Sequence, residues 1–146
     1  MSAATGSGIE GAWVELLRLL GDRVDPSTTD DVEVAVEVDG RRLYATLLPF
    51  GPDSAVVQVM APLVAGVADT DELCEAVATA ELTFGRLLLF DDGSGGRSVL
   101  HVVRFHRDQL CPAVLEHALR EVATTAARLE PDLEARFGAT FTLEGP

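Results

Sequence analysis

Phe84-Gly85-Arg86-Leu87-Leu88-Leu89-Phe90-Asp91, then Asp92-Gly93-Ser94-Gly95-Gly96-Arg97, then Ser98-Val99-Leu100-His101-Val102-Val103-Arg104-Phe105: two runs rich in Val, Leu and Phe flank one polar, glycine-rich connection. That arrangement predicts a β-hairpin, with glycines supplying the backbone freedom of the reversal. Both arms are apolar at nearly every position, so both faces are expected to be covered at least in part.

Upstream of the hairpin, Ile9, Ala12, Trp13, Leu16, Leu19 and Leu20 recur at three- and four-residue steps and predict an amphipathic helix over Ile9–Leu20, ended by Gly21, with Trp13 as a packing anchor. An acidic linker, Asp22–Asp31, follows. Val32–Val38 alternates with period two, Asp39-Gly40 suits a type I′ turn, and Arg41–Leu48 is the return strand. A third strand is expected over Ala55–Ala61, with Pro62 at its end or on an edge, because proline cannot donate to a ladder. A second helix spans about Thr70–Leu82, with Asp69 and Glu72 at capping-box spacing and a narrow stripe of Leu73, Ala76, Val77 and Ala80. After the hairpin, Pro112 opens a third helix whose stripe is Leu115, Ala118, Leu119, Val122, Ala126 and Leu129. Pro131 should end or kink it, leaving Asp132–Phe137 as a further short turn closed by Gly138. The order is helix, three antiparallel strands, helix, two strands, helix: an α+β domain with a five-stranded antiparallel sheet, the first and third helices on one face. The expected organisation is a disordered stretch over 1–8, one domain over 9–138 and a tail over 139–146.

The 146 residues suit one domain, and 47% hydrophobic content supports a packed core. Net charge is −13, from 24 acidic and 11 basic residues, every basic one an arginine. Such a surface repels phosphate backbones and anionic lipid, so neither nucleic acid nor membrane is expected as a partner. No apolar run approaches the roughly 18 residues that span a bilayer. The first residues lack the basic and apolar regions of a signal peptide, so the expected location is the cytoplasm. There, Cys74 and Cys111 are expected as buried thiols in helices rather than a disulfide.

The chemical motifs are sparse. His101, His106, Cys111 and His117 have no zinc-ligand spacing, and Cys111 has no ordered base and orienting group for nucleophilic catalysis. No Gly-x-Ser-x-Gly elbow is present. The Asp92–Gly96 turn joins two strands, so it lacks the helix N-terminus of a phosphate loop, and it does not fit a calcium loop. The carboxylates at Asp30-Asp31, Asp91-Asp92 and Asp69/Asp71/Glu72 read as turns and caps. His101 reads as a sheet residue held by a hydrogen bond. No enzyme activity, metal or cofactor is expected.

The element order resembles the small chaperones of bacterial type III secretion (the CesT-like fold) and the YbjN-like proteins. Leu82-Thr83-Phe84-Gly85-Arg86, the Asp91–Gly96 turn and Asp132-Leu133-Glu134-Ala135-Arg136-Phe137-Gly138 are similar to the actinobacterial branch of that group. The resemblance covers about residues 9–138. It implies a non-enzymatic module that binds extended polypeptide, often as a homodimer; the short, Ala-rich second helix departs from the pattern where a dimer interface would be expected. An open sheet can take a client strand by backbone hydrogen bonds, with apolar residues of an uncovered face supplying affinity. The residues expected to do so are Leu88 and Phe90 on the fourth strand and Val99, His101 and Val103 on the fifth. The alternative is a small-ligand-binding or structural interaction domain on the same fold, recognised by a closed pocket rather than an open patch.

Overall fold

The structure, a computed structural model, describes residues 2–26, 33–52, 54–91, 93 and 96–137. The expected linker over 27–31, the strand start at Val32, most of the 92–95 turn, the Gly138 stop and the tail over 139–146 lie outside the described residues.

Helix α1 spans Ser2–Leu20, β1 Glu33–Val38, β2 Arg41–Pro49, β3 Ala55–Val67, α2 Asp71–Thr79, β4 Arg86–Asp91, β5 Arg97–His106 and α3 Pro112–Phe137. The strands form one five-stranded sheet in the order β1-β2-β3-β5-β4, antiparallel throughout. The β1–β2 turn has φ of 53° at Asp39 and 80° at Gly40, the paired positive values that a type I′ turn requires.

One face of the sheet carries the core. Val34, Val36, Leu43, Ala45, Leu47, Val57, Val59 and Ala61 are buried there, in one cluster with Leu16 and Leu20 of α1, Leu73 of α2, and Leu115, Leu119, Val122 and Leu133 of α3. Helix α3 crosses the sheet against β3, β5, β2 and β1, while α1 rests on β2 and α2 on β4. Trp13 packs half-buried at the margin of this cluster. Among the described residues, no helix lies on the opposite face.

Several local expectations are corrected: α1 already begins at Ser2, inside the stretch expected to be disordered. Strand β3 does not stop at Pro62 but runs to Val67. Pairing with β2 ends at Met60, and the register with β5 slips between Pro62 and Val64, so a residue without a donor is tolerated at a bulge. Burial of Leu63, Val64 and Val67 holds the extension in place. The cap of α2 is the Thr70 hydroxyl, which accepts from the Leu73 backbone N–H at 3.2 Å, rather than the Asp69 carboxylate. Helix α3 continues through Pro131. Proline removes one intrahelical donor there, but buried Leu133 and half-buried Phe137 anchor the last turns to the core. Both cysteines are free and exposed. Cys74 lies off the buried stripe of α2, and Cys111 precedes α3, its carbonyl accepting from Leu115 N–H at 3.0 Å.

Candidate functional site: the helix-free face of the sheet

Paired residues of neighbouring strands share a face, so the register sorts every side chain. In the hairpin, Leu88 is opposite Leu100 and Phe90 is opposite Ser98, while Leu87 is opposite His101 and Leu89 opposite Val99. Leu88 and Phe90 therefore project from the helix-free face. Val99, His101 and Val103 project from the other, where Val99 and His101 are buried and Val103 packs against the core. The structure brings the five expected residues into one hairpin but divides them between its faces. The neighbours that share the helix-free face with Leu88 and Phe90 are Leu100 and Val102, joined across the sheet by Met60, Tyr44, Val56 and Leu48. Phe90 is 43% exposed, Leu88, Leu100 and Met60 are half-buried, and Val102 is buried among them. This is an apolar surface bounded by β4, the last strand of the sheet.

A polar row crosses that surface. Glu33, Thr46, Gln58 and Arg104 are consecutive cross-strand partners. Thr46 Oγ1 donates to Glu33 Oε2 at 3.4 Å, Arg104 Nε donates to Gln58 Oε1 at 2.6 Å, and the Gln58 amide reaches Met60 Sδ at 3.6 Å. These bonds satisfy polar groups in the middle of the sheet and divide the apolar surface into two fields. Leu48 and Val56 form one, beside a depression of ≈ 430 Å³ also lined by Phe50 and Phe105; Met60, Val102, Leu100, Leu88 and Phe90 form the other.

His101 sits beneath the hairpin, on the helix side. Its Nε2–H donates to the Phe84 carbonyl at 3.0 Å, since a carbonyl only accepts. Nδ1 is buried and has no hydrogen-bond partner among the described residues. Burial holds the imidazole below its ordinary pKa, outweighing the Phe84 carbonyl and Glu121, which favour the proton. Gly85, with φ +75°, makes this arrangement possible: a Cβ there would lie 2.2 Å from the Val102 carbonyl oxygen and 3.0 Å from His101 Nε2. Phe84 is thereby folded over α3, its ring edge-on to His117 at 4.8 Å.

A Ser–His–Asp array is also present. Ser54 Oγ bonds His106 Nε2, and His106 Nδ1 lies 3.4 Å from Asp108 Oδ2. The hydrogen bonds fix its sense. Nδ1 accepts from the Asp108 backbone N–H at 3.1 Å, so in the neutral ring Nε2 carries the proton and donates to the serine. A serine that accepts from the histidine is not activated by it. The array fastens the loop after β2 to the end of β5. Among the described residues, no three of His, Cys, Asp and Glu converge as metal ligands, and no helix is long and apolar enough to cross a membrane. The carboxylates serve as turns and pairs: Asp91 Oδ1 accepts from Gly93 N–H at 2.9 Å, and Asp69 pairs with Arg97 at 3.2 Å.

Leu100, Val102, Met60 and Tyr44 share this face without being among the residues expected from sequence, and the signal for them is parity. Asp91 faces Arg97 across an odd-numbered connection, which sets even positions of β4 against even positions of β5. Comparison with curated proteins gives no match. Residues 13–145 match the family model described as T3SS (YopN, CesT) and YbjN peptide-binding chaperone 1. Matched over nearly its whole length, the chain belongs to this family of peptide-binding chaperones.

Proposed function

We propose that the chain binds extended polypeptide segments along the helix-free face at β4, and that it does so without chemical change to the segment. The observation that carries this reading is the placement of exposed Phe90 and half-buried Leu88, Leu100 and Met60 on a sheet face without a helix, beside an edge strand. A segment added at β4 gains backbone hydrogen bonds from the edge, and its inward side chains cover the apolar field. The charge of −13 disfavours a nucleic-acid occupant, and the apolar field is suited to polypeptide.

A second copy of the chain is one polypeptide that this edge would accept, giving a homodimer. The small-ligand alternative has less support. A depression of ≈ 550 Å³ between the β1–β2 turn and α3 is of ligand size, but it includes Arg41 and Glu130, already engaged with each other at 3.0 Å.

Selection of random dodecapeptides displayed on phage against the wild type tests the reading. Selected peptides are expected to alternate apolar and polar residues and to lose binding to Phe90→Asp, while Val14→Asp, on the exposed side of α1, retains them. Retention by Phe90→Asp together with loss by Val14→Asp would move the site to the helices. Light scattering tests the second copy: dimer mass for the wild type and monomer mass for Phe90→Asp are expected. A monomeric wild type at high concentration would remove the homodimer.

A further inference from the structure

All basic residues of the chain are arginine, and acids outnumber them 24 to 11. Nearly every arginine is consequently held by its own chain. Apart from Arg86, Arg104 and Arg128, each pairs with a carboxylate, and Arg128 donates to the Glu81 carbonyl at 3.0 Å. Arg86 has no hydrogen-bond or ion-pair partner among the described residues. Arg104 engages only the Gln58 amide, through Nε, which leaves its outer guanidinium nitrogens unpaired among the described residues. Both are exposed.

These two residues are neighbours. Arg86 is opposite Val102, so Arg104 is its diagonal neighbour on the same, helix-free face. Two like charges side by side repel each other unless an anion lies between them. The register thus places two exposed arginines without carboxylate partners among the described residues at diagonal positions of β4 and β5, beside Leu88 and Leu100, with Arg104 Nε held toward Gln58 of β3; one carboxylate of a bound partner is within reach of both long side chains.

Resting on the open-face reading above, we propose that Arg86 and Arg104 form a carboxylate subsite. The occupant is an extended peptide with an Asp or Glu side chain at this position and apolar side chains covering Leu88, Leu100 and Phe90. The planar guanidinium fork suits bidentate recognition of a carboxylate. The remaining acidity of the chain does not prevent this. At physiological ionic strength charges are screened beyond about 8 Å, so distant carboxylates slow the approach of an acidic peptide more than they weaken a direct contact.

The test uses two labelled twelve-residue peptides of alternating Val and Thr, one with two central Asp residues and one with Asn in their place, measured by fluorescence anisotropy against the full chain. The Asp peptide is expected to bind about tenfold more tightly, as a charge-assisted contact exceeds a neutral one. Arg86→Gln/Arg104→Gln should remove that preference, so that the Asp and Asn peptides bind the variant with equal affinity. Phe90→Asp should weaken both. Equal affinity of the two peptides for the wild type, with Phe90→Asp still weakening both, overturns the subsite and leaves the open-face reading intact. Absence of binding by both peptides overturns the two together.

Discussion

The two faces of the sheet are built from different side chains. Against the helices, β2 and β3 place Leu43, Ala45, Leu47, Val57, Val59 and Ala61, all buried and mostly compact, which lets α3 lie close. On the reverse, the same strands place Tyr44, Thr46, Leu48, Val56, Gln58 and Met60, and the hydrogen-bonded polar row runs between its apolar fields. The side chains of β2 and β3 on the first face are all apolar and need no polar partner. The second keeps larger apolar groups beside fixed polar ones, a composition closer to an interface than to a core. Hydrophobic content alone does not distinguish the two; the partners of each side chain do.

The sharpest way to break this comparison is to place one charge on each face of the same hairpin. Val99→Asp puts an unpaired carboxylate into the helix-side core and is expected to cost about 3–5 kcal/mol or to prevent folding. Phe90→Asp, one strand away on the other face, is expected to change stability by no more than about 0.5 kcal/mol, the usual surface range. Urea melts of the two variants give both values. Similar costs would mean that the faces are equally buried.

Next in size, Leu119→Ala removes a fully buried side chain from the middle of α3 and is expected to cost roughly 2–5 kcal/mol in the same assay. A loss below about 0.5 kcal/mol would show that α3 does not seal this face.

The smallest effect concerns pH. His101 has a folded-state pKa below its ordinary 6.5, so the unfolded chain binds its proton more readily than the folded one. Its contribution is present above about pH 6.5 and is lost as pH falls towards the folded value. Thermal melts should therefore show a decline below pH 6.5 that His101→Gln reduces. An unchanged acid limb in that variant would mean that Nδ1 finds an acceptor on protonation.

Much of the fold was legible. The stripes of α1 and α3, the alternation of β1 and the Asp39-Gly40 turn are local patterns, each fixed by a few neighbouring residues. What was not legible depends on distant partners. Pro62 reads as a strand end until β5 supplies a bulge for it, and Pro131 reads as a helix break until Leu133 is seen in the core. The candidate residues are divided between the two faces by parity. The two apolar runs alone suggest a group of Leu88, Phe90, Val99, His101 and Val103, whereas the register sets Leu88 and Phe90 on one face with Ser98, Leu100 and Val102. When both arms are apolar at nearly every position, alternation cannot show which face is covered. The burial of His101 and its bond to Phe84 become clear only once α3 and the Gly85 turn are in place.

Amide hydrogen exchange separates addition of polypeptide at β4, on the helix-free face, from binding at the helices. Exchange is measured on the chain alone and saturated with a peptide obtained by display selection. Slowed exchange is expected at amides of Arg86–Asp91 that are not bonded to β5, with the amides of α1 and α3 unchanged. Slowing confined to α1 or α3, with β4 unaffected, would contradict it.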